Sequence, residues 1–507
     1  MQTVDGEQIM NANGNWRQEL QSFCWVAILC GLLGNSCLVS AQEVDLKKEG
    51  ARKSSDKARN AYSDAAEFQN KKLYDVAIED WQRFLTKFPD DPLASKAQHY
   101  LGICHLELKE FAKAAAAFAL VLKNHPDFEN LEQTYLNLGW CQYSLALVEK
   151  KLDQRSKLFQ EAADRFQDQV KKYPAGKLAD QALFFRGESL YHTGQKNLAA
   201  TAFAALVKSY PKSKLRSDGL YSLGVAREEL DQFAKAGEAY DLFLADYKEH
   251  GLVNEVRMRK AETVLQGGKF QEAAKLFAEV AAIEKFESAD YALYRQAFCL
   301  TSLKQLAEAG KLYASLVESY PKSEFADSAT LSAGRCFYRA QQFTAAQTWF
   351  SKVLPKGGDP AIEATHWLAR IHLGRGAAAE ALALVEKKLS AAAKSRFYVN
   401  LKMDQADAYY ELPEKRAAAL AAYVAIANDH PDSPQASQAL YNGAFTALDL
   451  KRYQPALDHA ASFQKKFPED TLLADVKYIS AEAQLQLRQL PAAEKQYREL
   501  VEGYAQH

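Results

Sequence analysis

Seven cysteines, ten histidines and one glycine-rich loop are the places where this 507-residue chain could do chemistry. Thiolates and imidazoles bind metals or act as nucleophile and base only when their spacing brings them to one face. Cys24, Cys30 and Cys37 share an apolar N-terminal stretch, whereas Cys104, Cys141, Cys299 and Cys336 lie far apart. His99/His105 and His366/His372 are each six residues apart, the wrong spacing for one helical face, and no HExxH or CxxC follows residue 41. "GRGAAAE", 374–380, has the outline of a dinucleotide loop, but no strand pattern precedes it. No serine elbow or phosphate loop is present. No catalytic residue, metal ligand or cofactor is assigned, and the chain is read as not an enzyme.

Lys and Arg total 63 against 64 Asp and Glu, with no basic block, so no nucleic-acid partner is expected. "FCWVAILCGLL", Phe23 to Leu33, is too short to span a bilayer but suits the apolar core of a secretory leader. Val39-Ser40-Ala41 places small residues where a signal peptidase reads, with cleavage before Gln42. The expectation is a signal peptide over 1–41, a polar linker over 42–56, and export. The alternative is a buried N-terminal helix or an uncleaved anchor. Membrane contact is expected only through that anchor or through partners. Gly34-Asn35-Ser36-Cys37 lacks the leucine that opens a lipid-attachment box.

A repeat positions everything after the linker. Pro89, Pro126, Pro174, Pro211, Pro321, Pro431 and Pro468 mark it, with the gap of 37 recurring. Twelve residues before such a proline stands an alanine with an aromatic four residues on: Ala77/Trp81, Ala114/Phe118, Ala162/Phe166, Ala199/Phe203, Ala309/Tyr313 and Ala419/Tyr423. Units without the proline keep the pair, as Ala236/Tyr240, Ala273/Phe277 and Ala346/Phe350. Self-similarity of this length predicts a solenoid. Each unit begins with a helix carrying a small residue, among them Gly102, Gly139, Gly187, Gly224, Ala261, Ala297, Gly334 and Ala369. Glycine inside a helix costs up to about 1 kcal/mol relative to alanine, so packing must require the missing side chain. A short turn such as "LKEF" or "GGKF" follows, then the helix bearing the alanine and its ring. The proline lacks an N–H and forces its predecessor out of the helical region, so it marks the joint between units.

This frame reads the chemistry-bearing residues as structural. The four later cysteines each sit two residues after the small residue, where other units carry Ser189, Ala226, Thr263 or Ala483. Equivalent helices of adjacent units lie about 8–10 Å apart, too far for a disulfide, so free, buried thiols are expected. "GRGAAAE" falls where other units have their helix–helix turn. Between Pro126 and Pro174 the spacing is 48, eleven more than 37, with no Gly or Pro to mark the turn. Eleven residues is about three helical turns, so both helices are expected to lengthen into a protruding hairpin, either without a role or as a docking knob.

Small residue, alanine, aromatic and proline at these offsets resemble the tetratricopeptide-repeat family. The resemblance implies an all-α, α-α solenoid, a right-handed superhelix of about twelve helix pairs over 57–507 with a mostly 37-residue period. Joints such as "YPKSEFADSA" resemble those of exported bacterial members of the Tol-Pal accessory and Bam outer-membrane assembly types. In this family the first helices line a concave groove through their fifth, ninth and twelfth positions. Carried onto this chain, the groove comprises His99, Trp140, Tyr143, Phe184, Tyr191, Tyr221, Tyr294 and Tyr338, with Leu136, Phe298, His366 and Tyr441 on the same stripe. Arg335, Arg339 and Arg370 add a basic stretch. Aromatic rings dominate interface hot spots, so protein or peptide partners are expected there; the alternative is that the rings pack between neighbouring helices. The family's clamp for acidic chaperone tails, Lys at the fifth position with Asn at the ninth, is missing. The resulting expectation is a non-enzymatic scaffold of a bacterial periplasm and cell envelope. The alternative is an accessory subunit that holds an envelope hydrolase or synthase.

Overall fold

The computed structural model describes residues 54–503. The expected leader, with Cys24, Cys30 and Cys37, and all but the last three residues of the linker lie outside the described residues. Among the described residues there are twenty-four α-helices, two short 3-10 turns and no strand. None of these helices is long and apolar enough to cross a membrane. The chain forms two compact units, the first ending at Lys248 and the second beginning at Glu249.

The first unit contains α1 (Asp56–Asn70), α2 (Tyr74–Lys87), α3 (Ala94–Glu107), α4 (Phe111–Asn124), α5 (Leu131–Val148), α6 (Leu152–Lys172), α7 (Ala179–His192), α8 (Lys196–Ser209), α9 (Arg216–Glu228) and α10 (Phe233–Asp246). The second contains α11 (Val253–Gln266), α12 (Phe270–Ala281), α13 (Ala289–Ser302), α14 (Leu306–Ser319), α15 (Ala326–Arg339), α16 (Phe343–Val353), α17 (Gly358–Gly374), α18 (Ala378–Leu389), α19 (Tyr398–Glu411), α20 (Arg416–Asp429), α21 (Ala436–Asp449), α22 (Tyr453–Lys466), α23 (Leu473–Gln486) and α24 (Leu490–Gly503). Within each unit every helix packs on the next, as an α-α solenoid requires.

One contact recurs in both units. A Cβ added to Gly102 would lie 2.6 Å from the Phe118 ring, and one added to Gly334 would lie 2.6 Å from Phe350. Gly139 stands likewise against Phe166, and Gly187 against Phe203. The glycine of the first helix is therefore the seat of the second helix's ring. Trp81, Phe118, Phe166, Phe203, Tyr240, Phe277 and Phe350 are all fully buried, as are the paired alanines. Burying such side chains contributes about 1.5–3 kcal/mol each and offsets the helix cost of the glycine.

The turns inside the pairs share one conformation, except those between α5 and α6 and between α19 and α20. A residue just past the first helix adopts positive φ, as Lys72, Lys109, Gly194, Gln341 and Gly376 do. The amide that follows reaches back over the helix end, for example from Leu73 N–H to Phe68 C=O at 2.9 Å. "GRGAAAE" is such a turn, with Gly376 at φ 74°. At the joints the residue before proline leaves the helix, as Phe88 does at φ −134°, ψ 54°. Tyr247 adopts nearly the same backbone at φ −129°, ψ 51° although Lys248 follows it. The ring at this position packs on the second helix, Phe84 against Phe88 at 5.4 Å and Phe243 against Tyr247 at 5.5 Å. The joint is thus held by packing as well as by proline.

The long unit is resolved as expected. α5 has 18 residues and α6 has 21, against 14 in α7 and α8. Both helices lengthen, and the packing phase at Gly139 and Phe166 is kept. All four cysteines among the described residues are free and buried. Burial pushes the Cys104 and Cys299 thiols up to about 12, which keeps them protonated and inert.

Candidate partner-binding cleft

The helical stripe of the first helices separates into two fates. Several fifth-position side chains, three residues before the small residue, point into the seam between successive pairs. His99 has no exposure: its ring lies 5.5 Å from Phe118 and 5.3 Å from Phe128, and Nδ1 is 2.9 Å from the Thr134 hydroxyl of α5. Burial holds its imidazole down at about 3, so it is neutral. Phe184 and Tyr221 are buried in the same way. Tyr143, a twelfth-position ring, is also buried, because the lengthened α6 lays Phe159 against it at 5.4 Å and Phe185 of α7 adds a second edge at 5.7 Å. His99, Tyr143, Phe184 and Tyr221 are core residues, which is the packing alternative of the sequence reading. They offer a partner no surface.

Some ninth- and twelfth-position side chains stay partly open, whereas Ile103, Leu106, Glu188, Val225, Glu262 and Leu265 are buried. In the first unit Trp140 is half-buried over Tyr143 and Phe185, and Tyr191 is half-buried with its hydroxyl donating to Glu229. In the second unit Tyr294, a fifth-position ring, lies half-buried against Tyr313 and Phe325. Arg335 is half-buried because its guanidinium forks onto Glu363 with two contacts of 2.5 Å, while Arg339 is exposed.

Four first helices of the second unit, α15, α17, α19 and α21, with Phe343 of α16 and Tyr423 of α20, form a cleft of about 560 Å³. Tyr338 and Phe343 line one end, Arg370 and Arg375 follow, then Asp407, Tyr410 and Glu411, and finally Tyr441, Asn442 and Phe445. Tyr338, Arg370 and Tyr441 were read from the sequence; Tyr410, Asp407 and Phe445 were not. The signal for them was present. Counted from Ala406, Asp407 and Tyr410 are the ninth and twelfth positions of α19, and counted from Ala444, Phe445 is the ninth of α21. The irregular turn at Pro413–Lys415 lengthens the spacing between Ala406 and Ala419 by one residue and so hides the register of α19.

The cleft is apolar at its ends and charged in the middle. Tyr338 meets Phe343 at 5.5 Å and Trp367 at 4.8 Å, while Phe445 lies 6.2 Å from Tyr410 and 6.4 Å from Tyr441. Phe445 is 42% exposed, a large ring for so open a position. Arg370 donates to Asp407 at 2.6 Å, and the Tyr423 hydroxyl donates to the other Asp407 oxygen at 2.6 Å. Beneath them His366 Nδ1 lies 2.6 Å from the fully buried Asp404. Burial pushes the Asp404 carboxyl up, and His366 and Arg370 pull it back only in part. These bonds hold Arg370 in a fixed orientation with part of its guanidinium open to the cleft.

Comparison with known proteins agrees with this architecture. Two repeat models match: a tetratricopeptide repeat at 63–127 and 151–214, and a tetratricopeptide repeat-like domain at 284–440. Among solved structures, the chain resembles Naa15/Naa10 bound to HypK-THB at 13% identity and TM-score 0.42, covering 87% of this chain and 68% of that one. Yeast Tom70 is similar at 14% identity and TM-score 0.33, over 87% and 99% of the two chains. A tetratricopeptide repeat protein of Parabacteroides merdae is similar at 14% identity and TM-score 0.32, over 52% and 98%. No curated protein matches the chain. With its glycine-seated rings, its proline joints and repeat matches in both units, the chain is a tetratricopeptide-repeat protein, a fold of protein–protein interaction scaffolds.

Proposed function

We propose that the protein is a non-enzymatic scaffold of a bacterial cell envelope that holds a segment of a partner protein in the cleft of its second unit. The observation that carries this reading is the open aromatic pair Tyr410 and Phe445 beside the Arg370–Asp407 couple. Rings supply contact area at low entropy cost, and a partly open, pre-oriented charge pair supplies direction. The envelope setting rests on the apolar run Phe23–Leu33 with the small residues Val39 and Ala41, and on the likeness of the joints to exported members of the family. Half-buried Trp140, Tyr191 and Tyr294, with Arg335 and Arg339, are secondary contact candidates.

The test is photo-crosslinking from position 441 in the producing cell, with mass-spectrometric identification of what is captured and fractionation of the cell. Periplasmic or membrane-bound proteins should be captured, and Tyr410→Ala with Phe445→Ala should lower capture roughly a hundredfold while leaving the fold intact. Undiminished capture by the double variant, or a chain confined to the cytoplasm, would refute the reading.

A further inference from the structure

The lengthened hairpin ends in an apex that the fold does not use. Val148 and Leu152, which flank its turn, are each 69% exposed, among the most open large apolar side chains of the molecule. Residues 150–157 are exposed throughout and include Lys150, Lys151, Arg155 and Lys157 against Asp153. Lys157 has only a loose pairing with Glu161 at 3.9 Å. Among the described residues no carboxylate lies within ion-pair distance of Lys150, Lys151 or Arg155. Glu149 is folded back, its carboxylate accepting the Lys151 backbone N–H at 2.9 Å. The apex is therefore cationic with two aliphatic chains at its centre. Its stem is braced by Phe159, which packs on Tyr143 and stacks on His192 of α7 at 4.4 Å. α5 carries the apex four residues, about 6 Å, further than a 14-residue helix would.

We propose that this apex docks the protein reversibly onto an anionic lipid surface. The inference is independent of the cleft, which lies in the other unit. Two aliphatic side chains and four cations confined to one hairpin tip, residues 148–157, present far less than the area of about 1,200 Å² that a stable protein interface buries. A bilayer needs no complementary cavity. Val148 and Leu152 enter the headgroup region, while Lys150, Lys151, Arg155 and Lys157 face the lipid phosphates. Each cation close to an anionic leaflet strengthens partitioning about fivefold. The apex thus provides a weak, salt-sensitive contact rather than an anchor.

The experiment is co-sedimentation of the full chain with vesicles of phosphatidylcholine alone and with vesicles of equal parts phosphatidylcholine and phosphatidylglycerol. Wild-type protein should partition to the anionic vesicles and release as salt is raised. Lys150→Gln with Lys151→Gln should weaken that partitioning about twenty-five-fold. Val148→Ser with Leu152→Ser should weaken it about tenfold without changing its dependence on salt. All four side chains are exposed, and circular dichroism should show unchanged helix content. The apolar run Phe23–Leu33 is common to every variant, so a difference between variants reports on the apex alone. Equal partitioning of the variants and the wild type would overturn the proposal. So would equal affinity for both vesicle types, or binding to soluble polyglutamate that survives the aliphatic substitutions.

Discussion

In the first unit three buried contacts between successive first helices are made without a charged partner pair. The Cys104 thiol meets Gln69 at 3.3 Å, His99 meets Thr134 at 2.9 Å, and the Ser222 hydroxyl donates to Glu188 at 3.1 Å. In the second unit the corresponding seams carry acidic side chains gripped by basic ones, besides the uncharged Thr301–Cys336 contact at 3.5 Å. Arg295 grips Glu262 through contacts of 2.7 and 2.8 Å with both groups at most 5% exposed, Arg335 forks onto Glu363, and His366 meets Asp404. Inter-helix ion pairs of the first unit are more open, as in Arg216–Asp246, where Asp246 is 45% exposed. Both units share the glycine-seated ring, so packing sets the repeat and leaves the seam chemistry free to differ. A buried ion pair is rarely worth more than an apolar match, but breaking it is expensive. The second unit should therefore tolerate loss of a seam partner far less well.

The largest effect expected is from Arg295→Ala, which strands Glu262 and should destabilise the second unit by about 3–5 kcal/mol. Replacing both partners, Arg295→Met with Glu262→Leu, should cost much less. Unit-resolved hydrogen exchange checks both, and equal costs for the single and double variants would remove the seam distinction.

Next comes pH in the first unit. Glu188 is buried with Ser222 as its hydrogen-bond donor, and burial pushes its carboxyl up to about 8, with Asp218 adding to the rise. The unfolded chain ionises near the ordinary carboxylate value while the folded chain keeps its proton, so stability falls as pH rises from about 4.5 to 8 and is constant beyond. Glu188→Gln should remove that slope. It should stabilise the first unit by roughly 2–4 kcal/mol at pH 8 and be nearly neutral at pH 4. Denaturant melts at the two pH values provide the measurement, and a gain independent of pH would contradict the assignment.

Gly102→Ala in the first unit and Gly334→Ala in the second should behave alike. Each drives a Cβ into a buried ring, and the overpacking should outweigh the helix gain, for a net loss of about 1–2 kcal/mol. A large difference between the two would mean that the shared packing rule is not shared. Smallest should be Pro211→Ala and Pro321→Ala. Tyr247 shows that the joint forms without proline, so only unfolded-state entropy is lost, about 0.4–1 kcal/mol in either unit by thermal melting.

Much of this molecule is legible in one dimension. The glycine, alanine, ring and proline recur at fixed offsets, and each acts within its own helix pair or joint, so a single copy of the pattern specifies it. That locality is why Gly334 against Phe350, the turn at Gly376, the buried thiols and the lengthening of both α5 and α6 could be read directly. The stripe of first-helix rings was legible only as a stripe. Some of its side chains, such as His99 and Tyr143, turn into the packing while others, such as Trp140, Tyr338 and Tyr441, stay partly open, because neighbouring pairs close over each helix to a different extent. Whether Tyr143 is core or surface depends on Phe159 in the lengthened α6 and on Phe185 in α7. The seam charges are of the same kind. Glu363 draws Arg335 and Arg396 from 28 and 33 residues away, and nothing in the local pattern of any of the three marks the others. Periodicity determined the fold because it needs only contacts that repeat; the cleft and the ion pairs needed side chains from different copies to converge within a few ångströms, and only the packed structure decides that.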